Sequence, residues 1–135
     1  MVKKDYKRGQ LAKEAGCNIE TIRYYEKEGL LPEPRRSEKG YRLYQIEDLK
    51  RLNFIIRCRD LGFSIAEIRE LLSLVDKHIY TCSDIHGITQ THINSVQRKI
   101  ADLNNILMTL QDMAQKCNAG DNPDCPILDT LFTEP

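Results

Sequence analysis

No apolar run in this 135-residue chain approaches the roughly 20 residues needed to span a bilayer. The opening Met-Val-Lys-Lys-Asp-Tyr-Lys-Arg leads into no apolar stretch of the kind a secretion signal carries. With 30% charged residues and a mean hydropathy of −0.49, the chain is expected to stay in the cytoplasm, away from membranes. An HExxH helix, a Gly-rich phosphate loop and a convincing Cys-His pair are also lacking, so no acid, base or nucleophile constellation is in view and an enzyme is not expected. No tight run of four cysteines exists, which argues against an iron–sulfur cluster. What is present is five cysteines, an odd number, and in a reducing compartment such thiols more often serve a metal or redox site than a structural disulfide.

The net charge of zero hides an asymmetry. Residues 1–75 carry 16 basic against 12 acidic side chains, and residues 76–135 carry 4 against 8. A basic first half suits a polyanion; an acidic second half suits a cation or another protein.

Periodicity divides the chain further. "RGQLAKEAGC" places Leu11, Ala12 and Ala15 at helical spacing and stops at Gly16; Asn18 then suits the cap of a second helix, "IETIRYYEKEGLL", ending near Gly29. A three-residue connection of this kind belongs to a helix-turn-helix, whose second helix must stand steeply to the first to enter the major groove. In "LLPEPRRSEKGYRLY" two prolines forbid helix, and a Ser-Glu-Lys-Gly turn joins Arg35-Arg36 to the alternating Tyr41-Arg42-Leu43-Tyr44, which predicts a β-hairpin wing. Thr21, Arg23, Tyr24 and Tyr25 on the second helix are candidate DNA contacts. Arg36, Tyr41 and Arg42 on the wing, with Arg57 and Arg59 beyond it, suit phosphates. At least one of Tyr24, Tyr25 and Tyr41 is expected to pack the small core instead. Two amphipathic helices follow, one with Leu49, Leu52, Ile55 and Ile56 on a face, the other capped by Ser64.

From Ser83 to Lys116 no proline interrupts. Val96, Leu103, Leu110 and Cys117 fall seven apart, with Ile100, Leu107 and Ala114 four after and Ile106 and Met113 three after, a broadened heptad seam. A helix of that length runs about 50 Å and needs a partner chain; the pattern predicts an antiparallel homodimer through Val96, Leu103, Leu107 and Leu110. Thr89, His92 and Lys99 break the seam.

The stretches "IRYYEKEGLLPEPRRSEKGYRLY", "RCRDLGFSIAEIRELLSL" and "CNAGDNPDCPIL" resemble the MerR family of metal-responsive transcription regulators over nearly the whole chain. The resemblance implies a mainly α fold: a winged helix-turn-helix domain (1–75), a hinge (76–82), a long antiparallel dimerisation helix (83–117) and a C-terminal metal-binding loop (118–135). The chain ends ten residues after Cys125, so the large drug-binding domain of another branch is not expected and the effector should be small. The family also implies a homodimer on promoter DNA, acting with RNA polymerase, in which metal distorts the promoter rather than releasing the protein.

Within that frame Cys117 and Cys125 close a loop that "PILDTLF" can cover, and antiparallel pairing would bring Cys82 of the other subunit to it. Relatives that sense copper, silver or gold carry serine at the place of Cys82, so its thiol implies a divalent soft ion. Three thiolates suit cadmium, lead or mercury, whereas zinc would normally want a fourth donor. The extra ligands of zinc-type relatives are missing at Lys116, Asn118 and Ala119, while His78 and His86, each four residues from Cys82, remain candidate donors. "RYYE", "LLPEPRRS" and "YRLY" resemble the cadmium and lead branch, which orders the metals as cadmium or lead, then mercury, then zinc. A thiol-disulfide redox regulator is the alternative of a different kind. Cys17 and Cys58 are expected to be packing residues.

Overall fold

A computed structural model describes residues 5–117, 120 and 124–132. Among the described residues the chain is mainly helical with one small antiparallel wing, and it forms two compact units, Met1–Ile85 and His86–Pro135.

In the first unit α1 (Arg8–Ala15) and α2 (Ile19–Lys27) form the helix-turn-helix, and each residue of the turn has a task. Gly16 closes α1 at φ 72°, a left-handed conformation that would strain a side chain by about 1 kcal/mol. The Cys17 N–H returns to the Ala12 carbonyl at 3.0 Å. The Asn18 carboxamide oxygen then accepts from the Thr21 N–H at 2.8 Å and from the Thr21 hydroxyl at 2.9 Å, satisfying an otherwise orphaned first-turn donor of α2.

The wing consists of β1 (Arg35–Arg36) and β2 (Arg42–Leu43), with Arg35 opposite Leu43 and Arg36 opposite Arg42. The regular ladder is shorter than the alternation of Tyr41 to Tyr44 predicts. Tyr44 leaves it to pair with Tyr6, exchanging backbone hydrogen bonds of 2.7 and 2.8 Å, because its ring is drawn fully into the core.

Helices α3 (Ile46–Asp60) and α4 (Ile65–Lys77) complete the unit. Ser64 Oγ accepts the Glu67 N–H at 3.1 Å while Glu67 Oε1 accepts the Ser64 N–H at 3.0 Å, the reciprocal box expected of this sequence. Leu11, Ile22, Leu30, Leu52, Ile55 and Ile68 are fully buried, each side chain contributing about 1.5–3 kcal/mol of hydrophobic stabilisation. Helix α4 runs to Lys77, two residues past the expected domain edge, and stops where His78 turns left-handed at φ 52°.

The long helix α5 spans Cys82–Gln115, 34 residues against the 83–117 expected. Its early start follows from Thr81, whose Oγ1 accepts the Asp84 N–H at 3.1 Å while its own N–H donates to the Asp84 carboxylate at 2.8 Å. Most of α5 lies in the second unit, together with α6 (Pro126–Leu131), which opens on a proline where no N–H is needed. Among the described residues no helix is long and apolar enough to cross a membrane.

Candidate functional site

The candidate DNA face is built on α2 and the wing. Arg23 projects from α2 and forms an exposed 3.0 Å ion pair with Glu20, a contact weak enough to yield to a base or phosphate. Tyr24 is about half exposed, whereas Tyr25 is only 7% exposed, its ring centroid 5.6 Å from that of Tyr24. Tyr25 is thus the member of the pair that packs the core. Burial pushes its hydroxyl pKa up, partly offset by the adjacent Arg59. Arg59 in turn donates to the Phe63 carbonyl at 3.0 Å, and Arg57 is exposed on the same last turn of α3. Thr21 is half-buried, held by the Asn18 cap.

On the wing, Tyr41 is exposed with the Lys7 ammonium 5.5 Å from its ring centre, and Arg36 donates to the Gly40 carbonyl at 3.0 Å. Lys7, Arg8, Tyr41 and Arg42 line a cavity of about 270 Å³ whose charge suits an anion. Arg42 pairs at 3.6 Å with Glu26, a residue of α2 absent from the expected site. The same carboxylate accepts the Tyr44 hydroxyl at 2.8 Å and lies 3.7 Å from Arg8. No local pattern announces this cluster, whose members stand 18 and 36 residues apart in sequence.

The thiols fall into two groups. Cys58 is buried and Cys17 half-buried, and burial pushes both thiols up in pKa, which holds them protonated and makes them poor metal ligands. Cys117 follows the end of α5 and Cys125 precedes α6, both half-buried; Cys82 is exposed at the first position of α5. Among the described residues no three His, Cys, Asp or Glu side chains converge as a metal site within one chain. Thiolates, as soft donors, fit a soft ion. Asn118 and Ala119, where zinc-type ligands are missing, lie outside the described residues. His78 and His86 are both exposed.

Helix α5 leaves Ile100, Leu103, Ile106, Leu107 and Leu110 each more than half exposed in the single chain, with Val96 half-buried. Met113, by contrast, is buried within the chain, so it is not part of that open face.

A winged helix-turn-helix followed by a long helix with an uncovered apolar stripe and terminal thiols defines a DNA-binding regulator. Residues 6–74 match the family model described as MerR HTH family regulatory protein, and residues 49–113 match that described as MerR, DNA binding. The chain belongs to the MerR family. It is 46% identical over 125 residues to the mercuric resistance operon regulatory protein of Bacillus cereus, covering 92% of this chain and 95% of that one. Among solved structures it resembles the lead(II) complex of PbrR691 from Ralstonia metallidurans CH34, with TM-score 0.79, 40% identity and coverage of 93% and 98%. It also resembles the mercury(II) complex of MerR from Bacillus megaterium MB1, with TM-score 0.73, 41% identity and coverage of 95% and 100%. These relatives are transcription regulators, not enzymes. Regulators of the family bind promoter DNA as dimers and contact RNA polymerase.

Proposed function

We propose that this chain is a cytoplasmic sensor of a divalent soft metal that sits on promoter DNA as an antiparallel homodimer and activates metal-resistance genes by distorting the promoter. The observation that carries this reading is the distribution of thiols: Cys117 and Cys125 flank the junction of α5 and α6, and Cys82 stands exposed at the opposite end of the same helix. Antiparallel pairing through Val96, Leu103, Leu107 and Leu110 brings each Cys82 to the partner's loop and makes the site a joint property of two chains. Arg23 and Tyr24, with Thr21, address the groove, while Arg36, Tyr41, Arg42, Arg57 and Arg59 hold the backbone, Arg59 being braced by the buried Tyr25.

Metal bonding to the three thiolates fixes the loop, seats Pro126 to Leu131 and shifts the two winged domains relative to each other. Distorting bound duplex costs roughly 1–6 kcal/mol. Thiolate sites can supply that, since structural zinc sites bind with apparent free energies of about 10–16 kcal/mol. Coupling is reciprocal, so distorted DNA raises metal affinity by the same factor.

Cadmium or lead comes first. Three thiolates without a fourth donor suit cadmium, lead and mercury alike; the resemblance of "RYYE", "LLPEPRRS" and "YRLY" to the cadmium and lead branch sets the order, and the likeness to the lead complex agrees with it. Mercury is the second reading, favoured by the B. cereus relative and the mercury complex. Zinc follows. Titrating the purified protein with cadmium, lead, mercury and zinc against a thiol buffer, while following thiolate charge-transfer absorption, ranks them. Cadmium or lead outcompeting zinc with three thiolates per ion supports the reading; a zinc preference with a nitrogen donor overturns it, and formation of a Cys117–Cys125 disulfide without metal supports the redox alternative.

A further inference from the structure

We infer that Glu26 is a positioning residue for DNA recognition, acting through Arg42 to hold the wing in register with α2. The inference rests on the DNA-binding reading of this face. The carboxylate of Glu26 is nearly enclosed, with 12% of its side chain exposed, yet it touches three elements at once. It accepts the Tyr44 hydroxyl at 2.8 Å, just past β2; it lies 3.6 Å from Arg42 on β2 and 3.7 Å from Arg8 on α1. Burial and the Glu26 acceptor push the Tyr44 pKa up to about 12, so its proton stays in place as donor at any physiological pH. Arg8 also donates from Nε to the Tyr44 oxygen at 3.3 Å, while its buried Nη2 has no hydrogen-bond partner among the described residues and is held only by the field of Glu26.

Two guanidinium groups and one carboxylate leave the cluster with a net charge of +1. Arg42, at 35% exposure the more open of the two guanidinium groups, lines with Arg8, Lys7, Gly40 and Tyr41 the cavity where a backbone phosphate would complete the charge. Glu26 therefore does two things. It fixes Arg42 before DNA arrives, removing rotamer freedom that binding would otherwise have to restrict. It also screens Arg42 from Arg8, whose like charge would otherwise push the wing outward. Because Glu26 stands one turn beyond Arg23 and Ile22 on the recognition helix, the phosphate grip of the wing is referenced to the helix that reads bases.

The test uses full-length protein and two duplexes: one selected by wild type from a random-sequence pool, and a scrambled duplex of equal length. Glu26→Gln keeps the acceptor for Tyr44 and removes the charge. It should lower selectivity for the selected duplex over the scrambled one by about tenfold, with scrambled-duplex affinity unchanged or higher and the salt slope no shallower. In an Arg42→Ala background the same substitution should change selectivity less than twofold, since Glu26 acts through Arg42. Glu26→Asp, which retains the charge but withdraws it, should fall between wild type and Glu26→Gln. Equal loss on both duplexes, or an undiminished effect without Arg42, overturns the inference as a mere folding role. Wild-type protein that selects no sequence would instead strike at the DNA-binding reading itself.

Discussion

Arg51 on α3 grips Asp76 in the last turn of α4 with two hydrogen bonds of 2.7 and 3.1 Å, while its Nε donates to the Leu30 carbonyl at 2.6 Å. One guanidinium thus joins the segment after the recognition helix, the helix beneath it and the end of α4 four residues before Thr81, the cap of α5. Arg51 holds the Asp76 carboxyl below its usual pKa, with a smaller contribution from His78. A depressed carboxylate pKa stabilises the fold above the unfolded value of about 3.9, and that contribution is lost as pH falls through the lower folded value. Asp76 is half exposed, so the effect is modest: Asp76→Asn should cost about 0.5–1 kcal/mol at neutral pH and progressively less as the pH falls below the unfolded value. Urea melts of both proteins across that range check it.

The face of α5 makes a sharper prediction. Leu103→Asp or Leu110→Asp places a charge where the dimer seam must close, at a penalty of several kcal/mol. Sedimentation should show monomers that no longer hold two half-sites; an intact dimer for both variants contradicts the seam.

On the DNA face, Arg42→Ala should weaken binding to all sequences and flatten the salt slope by about one unit, whereas Arg23→Ala should relax sequence preference. Fluorescence anisotropy across a salt series separates the two. If both variants bound as wild type, the assigned interface would be wrong.

Much of this was legible in the sequence because local physics carries it. Gly16 and Asn18 announce the turn, Ser64 and Glu67 announce α4, and the prolines around Glu33 clear a space for the wing. Tyr24 and Tyr25 could not be told apart, since neighbouring aromatic residues on a helix are separated by only 100° and Arg59, which meets Tyr25, is remote in sequence. The departure of Tyr44 toward Tyr6 and the clustering of Arg8, Glu26 and Arg42 were equally invisible, being pairings between segments far apart in the chain. The thiols were legible as residues, but among the described residues no three metal-ligating side chains converge as a site.

Cys82→Ser, Cys117→Ser and Cys125→Ser should each bind DNA normally yet lose at least tenfold in response to a divalent soft metal, while Cys17→Ser and Cys58→Ser respond as wild type. The contrast follows from burial, which keeps the last two thiols protonated. A reporter assay with promoter occupancy measured in parallel decides it.

On this reading, metal changes the bound DNA through thiols contributed by two chains. In-vitro transcription from the cognate promoter, with footprinting on the same samples, tests it most directly. Cadmium or lead should switch transcription on while the footprint persists and becomes distorted, and each of the three cysteine variants should keep the footprint but stay silent. Metal that releases the protein from DNA, or activation that survives in all three variants, would contradict it.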